Sequence, residues 1–149
     1  MKLPQEYKGY VAELLSYLRW VAGYSNYAMD IEYITNLKAR RQGYTVDAEI
    51  DVDPVYLRFT ISLADRVYYK WKKKEFAYLG DLLVHEICHL YVEPIKVLAF
   101  TDASPSQIKQ ITDSVETQVQ MIKMLFEKAL PKNYYTPEFV SSWRESVHY

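Results

Sequence analysis

From Glu6 to about Val21, apolar residues recur at Tyr7, Tyr10, Val11, Leu14, Tyr17, Leu18 and Val21, and this three-to-four-residue period predicts an amphipathic helix. Gly23, Ser25 and Asn26 break it. Between Tyr27 and Ile34 the period shortens to two, with Met29, Ile31 and Tyr33 on one side and Asp30 and Glu32 on the other, the mark of a strand with one wet face. A charged loop, Lys38 to Gly43, leads to a second alternating segment at Thr45 to Val52. Asp53 and Pro54 mark a turn, and Val55 to Leu63 is rich in β-branched and aromatic residues, so these two segments are expected to pair as a hairpin.

Helical spacing resumes near Lys74 and runs to Val92, where Pro94 opposes continuation. Ser104, Pro105 and Ser106 supply a helix start, serine as cap and proline within the first turn. The stripe Ile108, Ile111, Val115, Val119, Ile122 and Phe126 carries that helix towards Pro131, and a tyrosine-rich tail follows with Pro137 and a short helix over Glu138 to Ser146. No repeat or low-complexity linker divides the chain, so residues 1–149 read as one α+β domain. Its predicted parts are an N-terminal helix, a small, mainly antiparallel sheet of about three strands, a central helix and a long C-terminal helix.

Composition adds less than pattern does. Fifteen tyrosines among 149 residues suit half-buried positions and contact surfaces, because tyrosine joins a large apolar body to a polar tip. A net charge of -1 gives no electrostatic case for nucleic acid or an acidic membrane surface. The basic run Lys70, Lys72, Lys73 and Lys74 around Trp71 reads as a solvated patch at the mouth of a helix or hairpin. Cys88 is the only cysteine, which excludes an intrachain disulfide framework, and it reads as a small buried hydrophobe. Met1 to Tyr10 lacks the apolar core of a signal peptide, and no apolar run approaches the roughly 20 residues of a membrane span. An intracellular, cytoplasmic protein is expected.

The chemistry is concentrated in His85, Glu86, Ile87, Cys88 and His89, an H-E-x-x-H run inside the apolar stretch Leu79 to Val92. Two histidines four apart on a helix share one face, so both imidazoles can reach a single ion while the glutamate stands beside it. Zn2+ held this way keeps a position open for water and lowers the pKa of that water from about 15.7 towards about 7. Glu86 is the expected general base, taking the proton from the water and passing it to the leaving amine.

A catalytic zinc site uses three protein ligands, so one more is needed. The subclass with glycine three and histidine six residues beyond the motif is excluded, since Val92 and Ile95 occupy those positions. Glu93 lies eight residues from His85, about 12 Å along a helix axis at 1.5 Å per residue, too long a row to converge on one ion. It reads as a helix-end carboxylate. On the final long helix Glu116 sits at the edge of the apolar stripe and Asp113 points more nearly to water, so Glu116 is the better placed. His148 is a further candidate near the chain end.

The motif, a glutamate on the next long helix and a preceding strand pair together resemble the minimal zincin fold of glutamate-ligand metallopeptidases. The segment from Val46 to Ile61 followed by the motif is similar in particular to small metallopeptidase-like proteins of tailed bacteriophages, over roughly Tyr27 to Lys128. The resemblance implies Zn2+ bound by His85, His89 and Glu116, with Glu86 as base. It also implies a sheet edge strand, within Val55 to Leu63, that aligns a peptide or protein substrate by strand addition. Tyr134, Tyr135 and His148 are candidates for stabilising an oxyanion, and position alone selects none of them. The expected activity is zinc-dependent peptide hydrolysis. The alternative is a zincin-fold binding or assembly protein, virion-associated for example, with a structural or vestigial metal site.

Overall fold

The computed structural model describes residues 2–37 and 45–146; the charged loop from Lys38 to Gly43 and the candidate ligand His148 lie outside the described residues. The first helix, α1 (Gln5–Val21), buries Tyr7, Tyr10, Val11, Leu14, Leu15, Tyr17 and Leu18, the predicted stripe with Leu15 added and Val21 only partly buried. It stops in a Schellman motif: the Tyr24 and Gly23 N–H groups donate to the carbonyls of Arg19 (2.9 Å) and Trp20 (3.0 Å). Gly23 adopts φ +86 there, which glycine does without a Cβ penalty.

Three strands form one sheet: β1 (Ala28–Ile34), β2 (Ala48–Asp53) and β3 (Arg58–Ala64), in the order β1-β3-β2. The expected hairpin is antiparallel, with Ile50 opposite Ile61 and Val52 opposite Phe59. Strand β1 joins the other side of β3 in parallel, Ile31 opposite Ile61 and Tyr33 opposite Leu63. The sheet is therefore mixed, a point that alternation cannot reveal because it reports faces and not strand direction. Ile31, Ile61 and Ile50 form an inward row, while Asp30 and Asp51 share the outer face, where Arg58 reaches Asp30 at 3.2 Å. Strand β3 begins three residues later than the pattern suggested. Asp53 Oδ1 accepts the Tyr56 N–H at 3.3 Å, and Leu57 takes φ +51, so residues 54–57 remain a turn.

A helix not foreseen in the sequence, α2 (Asp65–Lys72), follows directly. Val67 is buried, and Trp71 packs on Tyr7 at 5.5 Å between ring centroids. The lysine run thus closes a helix, where cations complement the dipole. Lys70 pairs with Glu75 at 3.7 Å, and Lys72 lies over the Tyr68 and Tyr69 rings.

The motif helix, α3 (Phe76–Cys88), buries Leu79, Gly80, Leu83, Val84, Ile87 and Cys88 and packs against α1, α2, β2 and the later helix α5 (Pro105–Ala129). Each fully buried leucine or isoleucine here contributes on the order of 1.5–3 kcal/mol relative to exposure. Burial pushes the Cys88 thiol up to about 12, in keeping with an inert core position. Between α3 and α5 come a 3₁₀ turn, His89–Tyr91, and a short helix, α4 (Glu93–Phe100). Helix α5 starts in a capping box between Ser104 and Gln107, and α6 (Pro137–Ser146) closes the described chain on α1. Among the described residues no helix is long and apolar enough to cross a membrane.

Candidate metal centre

The two motif histidines are delivered differently. His85 lies within α3, but the α-helix ends at Cys88, and His89 opens the 3₁₀ turn. Pro94 has no N–H to offer the carbonyl of Leu90, so the ladder breaks there. That carbonyl accepts instead from the Tyr24 hydroxyl at 3.2 Å, and the Tyr91 hydroxyl donates to the Ala22 carbonyl at 2.7 Å. Two tyrosines therefore tie the turn that carries His89 to the end of α1. The helix predicted to reach Val92 is thus shorter and ends in a fixed corner.

Glu116, on α5, bridges both imidazoles. Its Oε2 lies 3.3 Å from His85 Nε2 and its Oε1 lies 3.3 Å from His89 Nε2. One ligand atom from each of the three residues falls within 4.8 Å of the others. Bonds of about 2.0–2.1 Å to a tetrahedral ion set ligand atoms about 3.3 Å apart, which the two Glu116–histidine distances match, and two imidazoles with a carboxylate are a donor set that could hold a metal ion. Asp113 is 65% exposed and pairs with Lys109 at 3.0 Å, which removes it from the cluster.

Burial and charge grade the site. His89 is 9% exposed, His85 19% and Glu116 49%. Burial works to lower the His89 pKa, but the hydrogen bonds to Glu116 and Glu93 outweigh it and raise it to about 9. Hydrogen bonds from His85 and then His89 hold the Glu116 carboxyl well below its usual range. Burial pushes Glu86 up, against the opposing effect of the two histidines.

Glu93 has a role that spacing did not show. It is buried, and its Oε1 lies 3.1 Å from His89 Nδ1, the nitrogen facing away from Glu116, while Lys96 Nζ reaches the same oxygen at 3.2 Å. It does not join His85, His89 and Glu116 in their cluster, yet it is more than a helix-end carboxylate. Gln120 Nε2 lies 3.3 Å from His85 Nδ1. Gln120 falls one turn beyond Glu116 on α5, so the period did contain this signal.

A cleft of about 520 Å³ opens beside His85 and Glu86, lined among others by Asp47, Arg66, Tyr78, Asp81 and Lys123. Asp47 receives Arg66 at 2.8 Å on one oxygen and the Tyr78 hydroxyl on the other, and Lys123 meets Asp81 at 2.6 Å. Tyr78 precedes His85 by seven residues, two helical turns, and so lies on the same face. Tyr134 and Tyr135 are elsewhere, packed against Gly80: a Cβ at that glycine would stand 2.7 Å from Tyr135 Cβ and 2.9 Å from the Tyr134 hydroxyl. The strand expected to offer a free edge within Val55 to Leu63 is also corrected. Strand β3 is central, with β1 and β2 taking up both its ladders, and the edge strand packed on α3 is β2.

Comparison with protein-family models, curated proteins and solved structures gave no match.

Proposed function

We propose that this chain is a zinc-dependent peptidase of zincin type, with His85, His89 and Glu116 as metal ligands and Glu86 as general base. The observation that carries the reading is the convergence of three ligand atoms within 4.8 Å beside a buried glutamate. Zn2+ bound there would act as a Lewis acid and make a water molecule acidic enough to lose its proton near neutral pH. Glu86 receives that proton on its carboxylate and returns it to the departing amine. Its burial suits the work, because desolvation raises the pKa of the carboxyl and makes it a stronger base than an exposed glutamate. Half-exposed Glu116 leaves the centre open to solvent on one side, and the cleft lined by Asp47, Arg66 and Tyr78 leads to it from α2 and β2. A peptide backbone aligned along the edge strand β2 would pass this cleft, in the manner of strand addition.

The test is Glu86→Gln. It is expected to keep one Zn2+ per chain while turnover of a peptide library falls by about 10²–10⁴-fold. Full activity in that variant removes the mechanism. A wild-type protein that holds zinc, cleaves nothing across the library and unfolds far more easily after chelation favours the binding or assembly reading instead.

A further inference from the structure

We infer that Glu93 is a positioning residue for the metal centre: it fixes the ring and tautomer of His89 so that Nε2 is presented to the ion. This rests on the metal-site reading above and adds to it a residue outside the H-E-x-x-H pattern. An ionised carboxylate only accepts hydrogen bonds, so Glu93 Oε1 at 3.1 Å requires a proton on His89 Nδ1. In the neutral ring the lone pair then sits on Nε2, which faces Glu116 and His85.

The local chain conformation makes this contact. Val92, at φ -114, separates the 3₁₀ turn from α4, and Pro94 keeps the two from merging into one helix. Glu93 begins α4 and so meets the side of the imidazole that points away from the centre. Lys96, one turn on, holds the same carboxylate oxygen and offsets its charge in a buried setting. At His85 the group recorded on the corresponding nitrogen is an amide, not a carboxylate. There Nδ1 meets the Gln120 amide, which can present either oxygen or nitrogen, so that ring is not committed to one tautomer. The geometry thus makes His89 the preorganised ligand and His85 the adaptable one.

The experiment is competitive Zn2+ titration at fixed pH of wild type, Glu93→Gln and Glu93→Leu, together with the visible spectrum of the Co2+ forms and the thermal midpoints of the metal-free forms. Glu93→Leu is expected to weaken Zn2+ about 10–100-fold and to alter the Co2+ bands. Glu93→Gln, whose amide oxygen still accepts from Nδ1, should recover most of that affinity. If Glu93→Leu does not fold, Glu93→Asp replaces it: the charge is kept but the oxygen is withdrawn by a methylene, and a comparable loss is expected. Wild-type affinity and an unchanged Co2+ spectrum in these variants, with only the thermal midpoint lowered, would overturn the inference. A wild-type protein that binds no Zn2+ overturns the peptidase reading as well, so the two failures are distinguishable.

Discussion

His85 and His89 stand one helical turn apart, yet their surroundings differ in kind. Around His89 the site is buried and anchored from several directions: Glu93 on one ring nitrogen, Glu116 on the other, the Tyr24 hydroxyl on the Leu90 carbonyl, and the Tyr91 hydroxyl on the Ala22 carbonyl. Around His85 it is wetter, with Gln120 and the cleft as neighbours and the half-exposed Glu116 beside it. The sequence motif treats the two histidines as equivalent. The fold buries one of them between two carboxylates and leaves the other beside the open cleft.

The largest expected effect separates these halves directly. Both His89→Ala and His85→Ala should lose stoichiometric zinc, but only His89→Ala strands the buried Glu93 beside an empty space. Its metal-free form should be less stable by about 1–3 kcal/mol in urea unfolding, whereas His85→Ala should cost less than about 1 kcal/mol. Equal costs would break the distinction. Gly80→Ala comes next: the added methyl meets Tyr135 Cβ at 2.7 Å, and overpacking of this sort costs about 1–3 kcal/mol, reduced by up to about 1 kcal/mol because alanine favours helix. Zinc stoichiometry should survive it, which would show that the centre is separable from the packing of α3 on the tyrosine tail. Tyr24→Phe frees the Leu90 carbonyl and should cost about 1 kcal/mol, while Gln120→Ala on the wet side should stay within about 0.5 kcal/mol.

Protonation sharpens the contrast further. In the metal-free protein His89 carries carboxylates on both ring nitrogens, which is why its pKa rises from 6.5 to about 9. A raised pKa means that the folded state binds the proton more tightly than the unfolded state does. The stabilisation is complete below pH 6.5 and is lost as pH rises through about 9. The urea midpoint of the metal-free protein should therefore fall across that window. Zinc affinity should rise over the same range, because the ion replaces the Nε2 proton.

Much of this arrangement is legible in the chain. The stripe of α1, the alternation in β1 and β2, the Ser104 cap and the run from Ile108 to Phe126 each predict their element, because one buried face imposes one period. The parallel ladder between β1 and β3 is not legible, since alternation records which side is wet and nothing about direction. Helix α2 is not legible either, because four lysines mask a short apolar spacing, Val67 to Trp71, that spans one turn only. That His85, His89 and Glu116 come together is readable from helix geometry. The place of Glu93 is not, because its position depends on a break at Cys88 and Val92 that a straight helix does not contain. Asp47 and Arg66 come from a loop and an unforeseen helix, and no local period could have joined them to Tyr78.

In the proposed function one ion joins the motif segment to α5 through His85, His89 and Glu116. Zinc titration of the purified chain, with elemental analysis of wild type beside Glu116→Ala, tests it most directly. One tightly held Zn2+ per wild-type chain and a large loss of that binding in Glu116→Ala are expected; a wild-type chain that takes up no zinc under metal-replete conditions, or a Glu116→Ala variant that holds it equally well, would rule the shared ion out.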